Sequence, residues 1–520
     1  MNDVPRPKPC HTHCNEPPIP PGPDHLKQLA HRFLSRLTEE QLRDIAAWCG
    51  QQKSETAIQV GSLCSGTECP VLAWSAWMEA LQERLGVSPS WCHAMSAESD
   101  EKKQDFLLMM MPGVKIFTDA CNLGASEAMA VTASSRQLET VPDDIGVLFA
   151  GFPCKAASRL NRHSGSSRNL ECVSACDLST GSVFQSILSF LRQHGKRCQM
   201  LVMENVLGLA KKGPDGKSNL DCVLDMLLQA GWWAKAWHLD PRNWGTPASR
   251  LRVWIIGFPV SNVNTSGRTR EATALLMQNV LDSIAGSKLA RMESYLLPDG
   301  HPHVKAITHA ALYCRLCAAG ERAMAAVWAH GIHPPVPARK ASDDALRQKW
   351  HSAQLVEAMQ SGVQMWRQAE LMSQELWICY PGIAEVTNRE MGILQLENTR
   401  FPEPSLSVIE MSQSACRGTG DQRQRRSAVK FHAVIPRTRQ FLTNRCRVMT
   451  GLEALFVQNI RYPDDPAFEK ASRFPDHFLR DLAGNAFEAG SCLAAICTAT
   501  VAMSAGCASR CQMAESATIP

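Results

Sequence analysis

A proline–cysteine pair sits in a glycine-led turn, "GFPCKAASR" (151–159), directly after the apolar run "IGVLFA". A buried structural cysteine needs no such setting, whereas a nucleophile held at a strand end does. Cys154 is therefore the first candidate for covalent chemistry. Its thiolate needs a lowered pKa, which a nearby Lys or Arg supplies, and Lys155 and Arg159 are close in sequence. Glu204 in "MENVLGL" follows the apolar "MLVM". A partly desolvated carboxyl at a strand end takes a raised pKa and donates a proton. Arg250 and Arg252 stand two apart in "GTPASRLRVWIIG". Strand alternation puts both on one face, where they hold Glu204 or an anionic substrate group. The competing structural readings are a buried thiol for Cys154 and a plain salt bridge to Arg250 for Glu204.

Strands must place these groups. Between 57 and 258 the apolar runs "AIQVGSL", "HAMSAES", "KIFTDA", "IGVLFAGF", "MLVMENV" and "RVWIIGF" alternate with helix-length segments such as "CPVLAWSAWMEALQERLG" and "SVFQSILSFLRQHG". The alternation predicts an α/β fold with a doubly wound, mostly parallel, Rossmann-like sheet, which binds ligands at the carboxyl ends of its strands. After the first strand, Ser65 and Gly66 in "SLCSGTECP" form a small-residue turn leading into a helix. Such a turn admits a ligand to the backbone and to the positive helix N-terminus. Glu98 follows the second strand, where an acid accepts from ribose hydroxyls, and Asp119 follows the third, where it accepts from an adenine amine. Each alone reads as a loop or cap residue; together, in strand order, they indicate a nucleotide-like cofactor. The tryptophans at 232, 233, 237 and 244 read as core.

The 520 residues allow two or three domains, and 45% hydrophobic with 20% charged residues fits a folded globular chain. The net charge of +4 does not by itself indicate nucleic acid, so local clusters carry that argument. One basic cluster runs through 415–447, with Arg423, Arg425 and Arg426 inside it, and reads as phosphate contact or as a solvated segment. The 21 cysteines form no framework and read as reduced thiols. "CHTHC" (10–14) and "CRLC" (314–317) lack a second half at zinc-site spacing, so no metal is expected. No window approaches the roughly 20 apolar residues that cross a bilayer, and the start is neither signal nor transit peptide. An intracellular protein without membrane contact is expected, nuclear if "RQRRSAVK" is an address in a eukaryote. The expected divisions are a disordered proline-rich tail at 1–23, a helical segment at 24–56 with a capping box at "TEEQ", and a catalytic domain at 57–259. A mainly helical insert follows at 260–435, then a return to the catalytic domain at 436–505, opened by a glycine and asparagine before a long apolar helix, and a tail at 506–520.

In this order the motifs resemble those of the cytosine-C5 DNA methyltransferase family, over about 57–258 and 436–503. "SLCSGTECP" is similar to the family's first motif, "AESD" to the second, "FTDACNL" to the third and "GFPCKAAS" to the Pro-Cys motif. "MENVLGL" is similar to the Glu-Asn-Val motif, "ASRLR" to Gln-x-Arg-x-Arg, "RQFLTNRCRVMTG" to the ninth and "AGNAF" to the tenth. The chain departs from the pattern at Cys64, Glu68, Cys69, Lys155, Ala248 and Cys446.

The resemblance implies transfer of a methyl group from S-adenosylmethionine to C5 of a flipped cytosine, through a covalent adduct of Cys154. Glu204 would bond the N3 side of the ring, Arg250 the base carbonyl, and Arg252 would brace the site. Ser65, Gly66, Glu98, Asp119, Pro153 and Asn485 would hold the cofactor. Ser158, Arg159 and Asn205 would face the nucleic acid, with 159–169 closing over the base, and 260–435 would read the target. Double-stranded DNA is the expected partner. The same fold acting on tRNA ranks second, because its Cys-Phe-Thr signature is not found between Arg252 and the ninth motif. A catalytically weak binding module ranks third.

Overall fold

The computed structural model describes residues 4–9, 16–52, 57–64, 66–153, 172–173, 180–213, 215–265, 269–319, 385–387, 390–391, 393–394, 408–412, 427–428, 430–436, 438–460 and 465–510. Its main element is a 9-stranded sheet in the order β5-β4-β3-β2-β1-β6-β7-β9-β8. The strands are β1 (Ile58–Leu63), β2 (Trp91–Ala97), β3 (Ile116–Phe117), β4 (Glu127–Val131), β5 (Arg136–Thr140), β6 (Ile145–Ala150), β7 (Met200–Asn205), β8 (Trp232–Leu239) and β9 (Arg252–Pro259). From β3 through β2, β1 and β6 to β7 all pairings are parallel. β9 pairs antiparallel with both β7 and β8, and the β4–β5 hairpin adds antiparallel to β3. The chain leaves β1 toward β2 and β3 on one side, then returns to β6 and β7 on the other. This reversal opens a crevice at the carboxyl ends of β1 and β6, where doubly wound sheets bind ligands.

The helices are α1 (His25–Ser35), α2 (Glu39–Gln51), α3 (Cys69–Leu85), α4 (Glu101–Met110), α5 (Gly181–His194), α6 (Asn219–Gln229), α7 (Val260–Thr265), α8 (Arg270–Ile284), α9 (Pro302–Ala319), α10 (Gly451–Val457), α11 (Asp465–Ser472), α12 (Asp476–Asn485) and α13 (Ala489–Ser504). They cover both faces, and strand alternation divides the core accordingly. Val60, Phe149, Val202, Trp254 and Ile256 join α1, α3, α8 and α13 in one apolar cluster. Leu63, Leu148, Leu201, Met203 and Ile255 join α5 and α6 in the other. Thr38 caps α2 through the expected box, accepting from the Gln41 N–H at 3.2 Å while Gln41 accepts from Thr38 N–H at 2.9 Å. Trp232, Trp237 and Trp244 are buried and Trp233 stacks on Phe258, so these tryptophans are core residues.

Several elements differ from the sequence reading. The β4–β5 hairpin carries no apolar run, because β5 lies at the sheet edge with most of its residues exposed. A 4-stranded antiparallel sheet, β11-β10-β12-β13, forms from β10 (Val408–Glu410) and β11 (Ser427–Ala428), in the insert expected to be mainly helical, and from β12 (Gln440–Leu442) and β13 (Arg447–Val448), in the expected return to the catalytic domain. Residues 320–384 of that insert lie outside the described residues. Parts of the proline-rich tail are packed rather than disordered. Pro5 C=O accepts from His238 N–H on the exposed edge of β8 at 2.9 Å, Pro17 C=O accepts from Arg32, and Ile19 is buried. The long apolar helix expected after Gly484 and Asn485 is α13, separated from α12 by a short break. The break at Ala486–Glu488 lets the Glu488 carboxylate cap α13 by accepting from Gly490 and Ser491 N–H groups. Contrary to the expectation from the sequence, the stretch Asp476–Arg510 is apolar enough to cross a bilayer by composition, but 78% of its most apolar window is buried inside the fold. α13 is the central helix of one core cluster.

Candidate active site

The turn after β6 is fixed by its neighbours at backbone level. Gly151 N–H donates to Leu63 C=O at 2.9 Å, which ties the ends of β6 and β1 together. A Cβ at 151 would stand 2.6 Å from Cε1 of Phe487, so only glycine fits. Phe152 is buried and its ring meets Phe184 at 5.3 Å. Pro153 follows, half-buried. Cys154, Ser158 and Arg159 lie outside the described residues, as do Ser65, Arg423, Arg425 and Arg426.

β7 runs beside β6 and ends in Glu204 and Asn205, which alternation turns to opposite faces. Asn205 is buried. Its Nδ2 donates to Phe152 C=O at 3.2 Å and its Oδ1 accepts from Val206 N–H at 2.9 Å. Expected to face nucleic acid, Asn205 instead holds the turn that leads into Cys154. Glu204 pairs across the strands with Trp254, so Arg252, two residues away on the same face, is its diagonal neighbour. Arg252 Nε lies 3.2 Å from Glu204 Oε1. The contact is a charge pair without hydrogen-bond alignment, since Oε1 has no hydrogen-bond partner among the described residues. Burial pushes the Glu204 carboxyl above its usual range, against the opposing pull of Arg252 and Arg250.

The two arginines do different work. Arg250 precedes β9 and is buried, its guanidinium donating to the carbonyls of Val434, Gly484 and Ala486. It clamps the 431–436 segment and the end of α12 to the sheet. Arg250, expected on a base carbonyl, is spent on backbone carbonyls instead, whereas Arg252, expected as a brace, lies beside Glu204. Gly484 allows the clamp, because a Cβ there would collide with the backbone of Ile435 and Pro436.

The carboxyl ends of β1, β2 and β3 look different. Cys64 and Glu68 hold left-handed backbone at φ 58° and 52°, with Gly66 between them at φ 67°. Burial pushes the Cys64 thiol up to about 12, so it stays protonated at neutral pH. Glu98, after β2, is buried; its Oε1 accepts from Asp100 N–H at 3.0 Å. Its Oε2 lies 3.5 Å from the point a Cβ on Gly66 would occupy. Burial raises its pKa, opposed chiefly by the Lys103 ammonium. Asp119, after β3, is half-buried and caps the turn Ala120–Asn122 by accepting from Cys121 N–H at 2.8 Å. Asn485 ends α12 exposed, its Nδ2 donating to Asp481. Leu482, one turn back on that helix, also reaches the Gly66 position at 3.7 Å.

Residues 115–302 match the model of the C-5 cytosine-specific DNA methylase family. Over these residues the chain is similar to that family. It is 24% identical over 444 residues to the DNA (cytosine-5-)-methyltransferase DMT5 of Cryptococcus neoformans var. grubii, across 84% of this chain and 17% of that protein. It is 28% identical over 120 residues to the type II methyltransferase M.HpaII of Haemophilus parainfluenzae, across 23% of this chain and 30% of that enzyme. The chain thus spans less than a third of the length of these two relatives. A crystal structure of a Dnmt2 mutant of Spodoptera frugiperda is 12% identical, with TM-score 0.38, over 84% of this chain and 98% of that one.

A methylase like those the chain resembles would take S-adenosylmethionine in this cleft, and the chemistry of the groups around Gly66 is compatible with it. Glu98 Oε2 faces the Gly66 turn, whose missing side chain leaves the backbone open. Asp119 follows β3 and Asn485 ends α12. Sequence reasoning missed three contributors: the Arg250 clamp, Phe487 against Gly151, and Lys103 beside Glu98. The glycine of "AGNAF" was the available signal for the clamp, since a glycine at the end of a helix marks a close backbone approach.

Proposed function

We propose that the chain transfers a methyl group from S-adenosylmethionine to C5 of cytosine in double-stranded DNA. The observation that carries this reading is the half-buried Glu204–Arg252 pair on β7 and β9, with β7 beside β6, whose end carries the Gly151–Pro153 turn that leads into Cys154. The names of the two methyltransferase relatives point the same way.

Cytosine C5 is a poor nucleophile. Addition of the Cys154 thiolate to C6 makes C5 enamine-like. Charge then develops on the N3 side of the ring, and Glu204, which burial keeps inclined to hold a proton, donates there. Arg252 steadies the Glu204 carboxyl and moderates its pKa. Asn205 and Gly151 keep the nucleophile's turn in register with β7 and β1. S-adenosylmethionine, when bound, supplies the electrophilic methyl. Loss of the C5 proton and expulsion of the thiolate complete the cycle. The base must leave its stack to reach this buried edge.

The test is transfer of labelled methyl groups to duplex DNA and to tRNA, with 5-fluorocytosine DNA as a trap. We expect transfer to DNA and a denaturation-resistant adduct, both abolished by Cys154→Ala. Transfer to tRNA alone would overturn the substrate, and unimpaired transfer by Cys154→Ala would overturn the mechanism.

A further inference from the structure

Glu68 occupies the N-cap of α3 with a buried carboxylate, 3.7 Å from the Nε2 of His93. The Glu68 side chain makes no capping hydrogen bond to the helix, so a carboxylate stands beside the positive end of α3, where such folds receive an anion, without capping it. The carboxylate of S-adenosylmethionine, entering over the Gly66 turn, would meet a like charge there. It needs another cation.

Lys103 lies in the first turn of α4, with its backbone N–H donating to Asp100 Oδ1. Its Cδ is 3.6 Å from the point a Gly66 Cβ would occupy, level with Glu98 Oε2 at 3.5 Å and Leu482 at 3.7 Å. Three elements thus converge over one glycine: the end of β2, the start of α4 and the face of α12. The chain is half-buried there, and its ammonium makes no hydrogen bond or ion pair within 4.0 Å among the described residues. Arg136, at the sheet edge, pairs with Glu101, and Arg250 is held by carbonyls. Lys103 is thus a cation at the cleft that, among the described residues, forms no ion pair, though it lies close enough to Glu98 to act on its carboxyl.

We propose that Lys103 binds the α-carboxylate of S-adenosylmethionine, supplying a cation over the Gly66 turn where the start of α3 carries a carboxylate of its own; this rests on the methyltransferase reading above. The electrostatic pull of Lys103 on both Glu98 and Cys64 agrees with an ammonium lying over the turn.

The experiment is calorimetric titration of the full chain with S-adenosylhomocysteine and with its decarboxylated analogue, so that binding is read without turnover. Lys103→Met is expected to weaken S-adenosylhomocysteine by about ten- to a hundredfold, the worth of a charge-assisted hydrogen bond. Its affinity for the decarboxylated analogue should stay within about twofold of wild type. Lys103→Arg, which keeps the charge, should retain most of the affinity for S-adenosylhomocysteine. The wild-type protein should itself prefer the carboxylate-bearing ligand, a comparison that needs no variant. Equal losses for both ligands would mean that Lys103 acts on Glu98 instead, and no loss, or a wild type indifferent to the carboxylate, would also overturn the assignment. If the wild type bound neither ligand at millimolar concentration, the methyltransferase reading would fall, and this inference with it.

Discussion

After β6, β7 and β9 the chain closes on itself, whereas after β1, β2 and β3 its polar groups stay turned toward a cleft. On the first side Gly151 abuts Phe487, Gly484 abuts Ile435 and Pro436, Asn205 holds a carbonyl and Arg250 holds three. On the second, left-handed Cys64, Gly66 and Glu68 carry the turn, and Glu98 and Asp119 are tied to N–H groups two residues away. Bond-making chemistry tolerates little displacement, so its supports are backbone-level and buried. A binding cleft needs groups left over for a ligand. The departures Glu68 and Cys69 fall on the second side, where sequence can change without unseating the Cys154 turn.

The sharpest way to break this contrast is at the two arginines. Arg250→Met strands three buried carbonyls, and we expect a loss of at least about 3 kcal/mol in unfolding free energy. Arg252→Met should change stability by less than about 1 kcal/mol, because its pair with Glu204 lacks hydrogen-bond alignment. It should nevertheless lower kcat by about a hundredfold. Denaturant melts and steady-state rates on both variants check this. Equal destabilisation, or activity lost only in the Arg250 variant, would restore the assignment expected from sequence.

The clamp made by Arg250 shows where sequence runs out. Strand order, the Cys154 turn, Glu204 at a strand end and the capping box of α2 follow from apolar periodicity and residue type. What Arg250 does depends on Val434, Gly484 and Ala486, about 180 to 240 residues away, and no local pattern encodes that distance. Asn205 failed for a similar reason: its neighbour Glu204 faces the site, and alternation sends Asn205 to the opposite side. β4 and β5 were unreadable because an exposed edge hairpin has no need of an apolar run.

A second break tests the first side by packing alone. Gly151→Ala sets a methyl against the Phe487 ring, and overpacking of this kind costs about 1–3 kcal/mol. If Gly151 positions the nucleophile, kcat falls while affinity for S-adenosylhomocysteine does not. A loss of affinity with kcat intact would place Gly151 with the cofactor cleft instead.

On the second side, Glu98→Gln should weaken S-adenosylhomocysteine by about tenfold, one hydrogen bond to a charged acceptor. Its melting temperature should hold or rise, because a buried carboxylate with a raised pKa is removed. A marked drop in stability with unchanged affinity would make Glu98 a structural residue and erase the difference between the two sides.

The smallest expected effect concerns Glu204 and pH. Its pKa in the folded protein lies above the ordinary carboxyl value, chiefly through burial. Between the unfolded and folded values the folded state holds a proton that the unfolded chain has released. Stability contributed by this group is therefore greatest at low pH, falls as pH rises through that window, and is level above it. The cost reaches about 1.4 kcal/mol for each unit of separation. Glu98, Glu410 and Glu488 are raised by burial too, so the wild-type curve alone is ambiguous. The difference between wild type and Glu204→Gln isolates one carboxyl. Urea melts across a pH series should show the variant gaining on wild type as pH rises, with kcat of the wild type declining over the same interval. A difference that is flat with pH, or that favours wild type as pH rises, would mean that Arg252 and Arg250 outweigh burial. Glu204 would then be an ionised hydrogen-bond acceptor, not a proton donor, and the chemical side of the cleft would resemble the binding side more closely than its packing suggests.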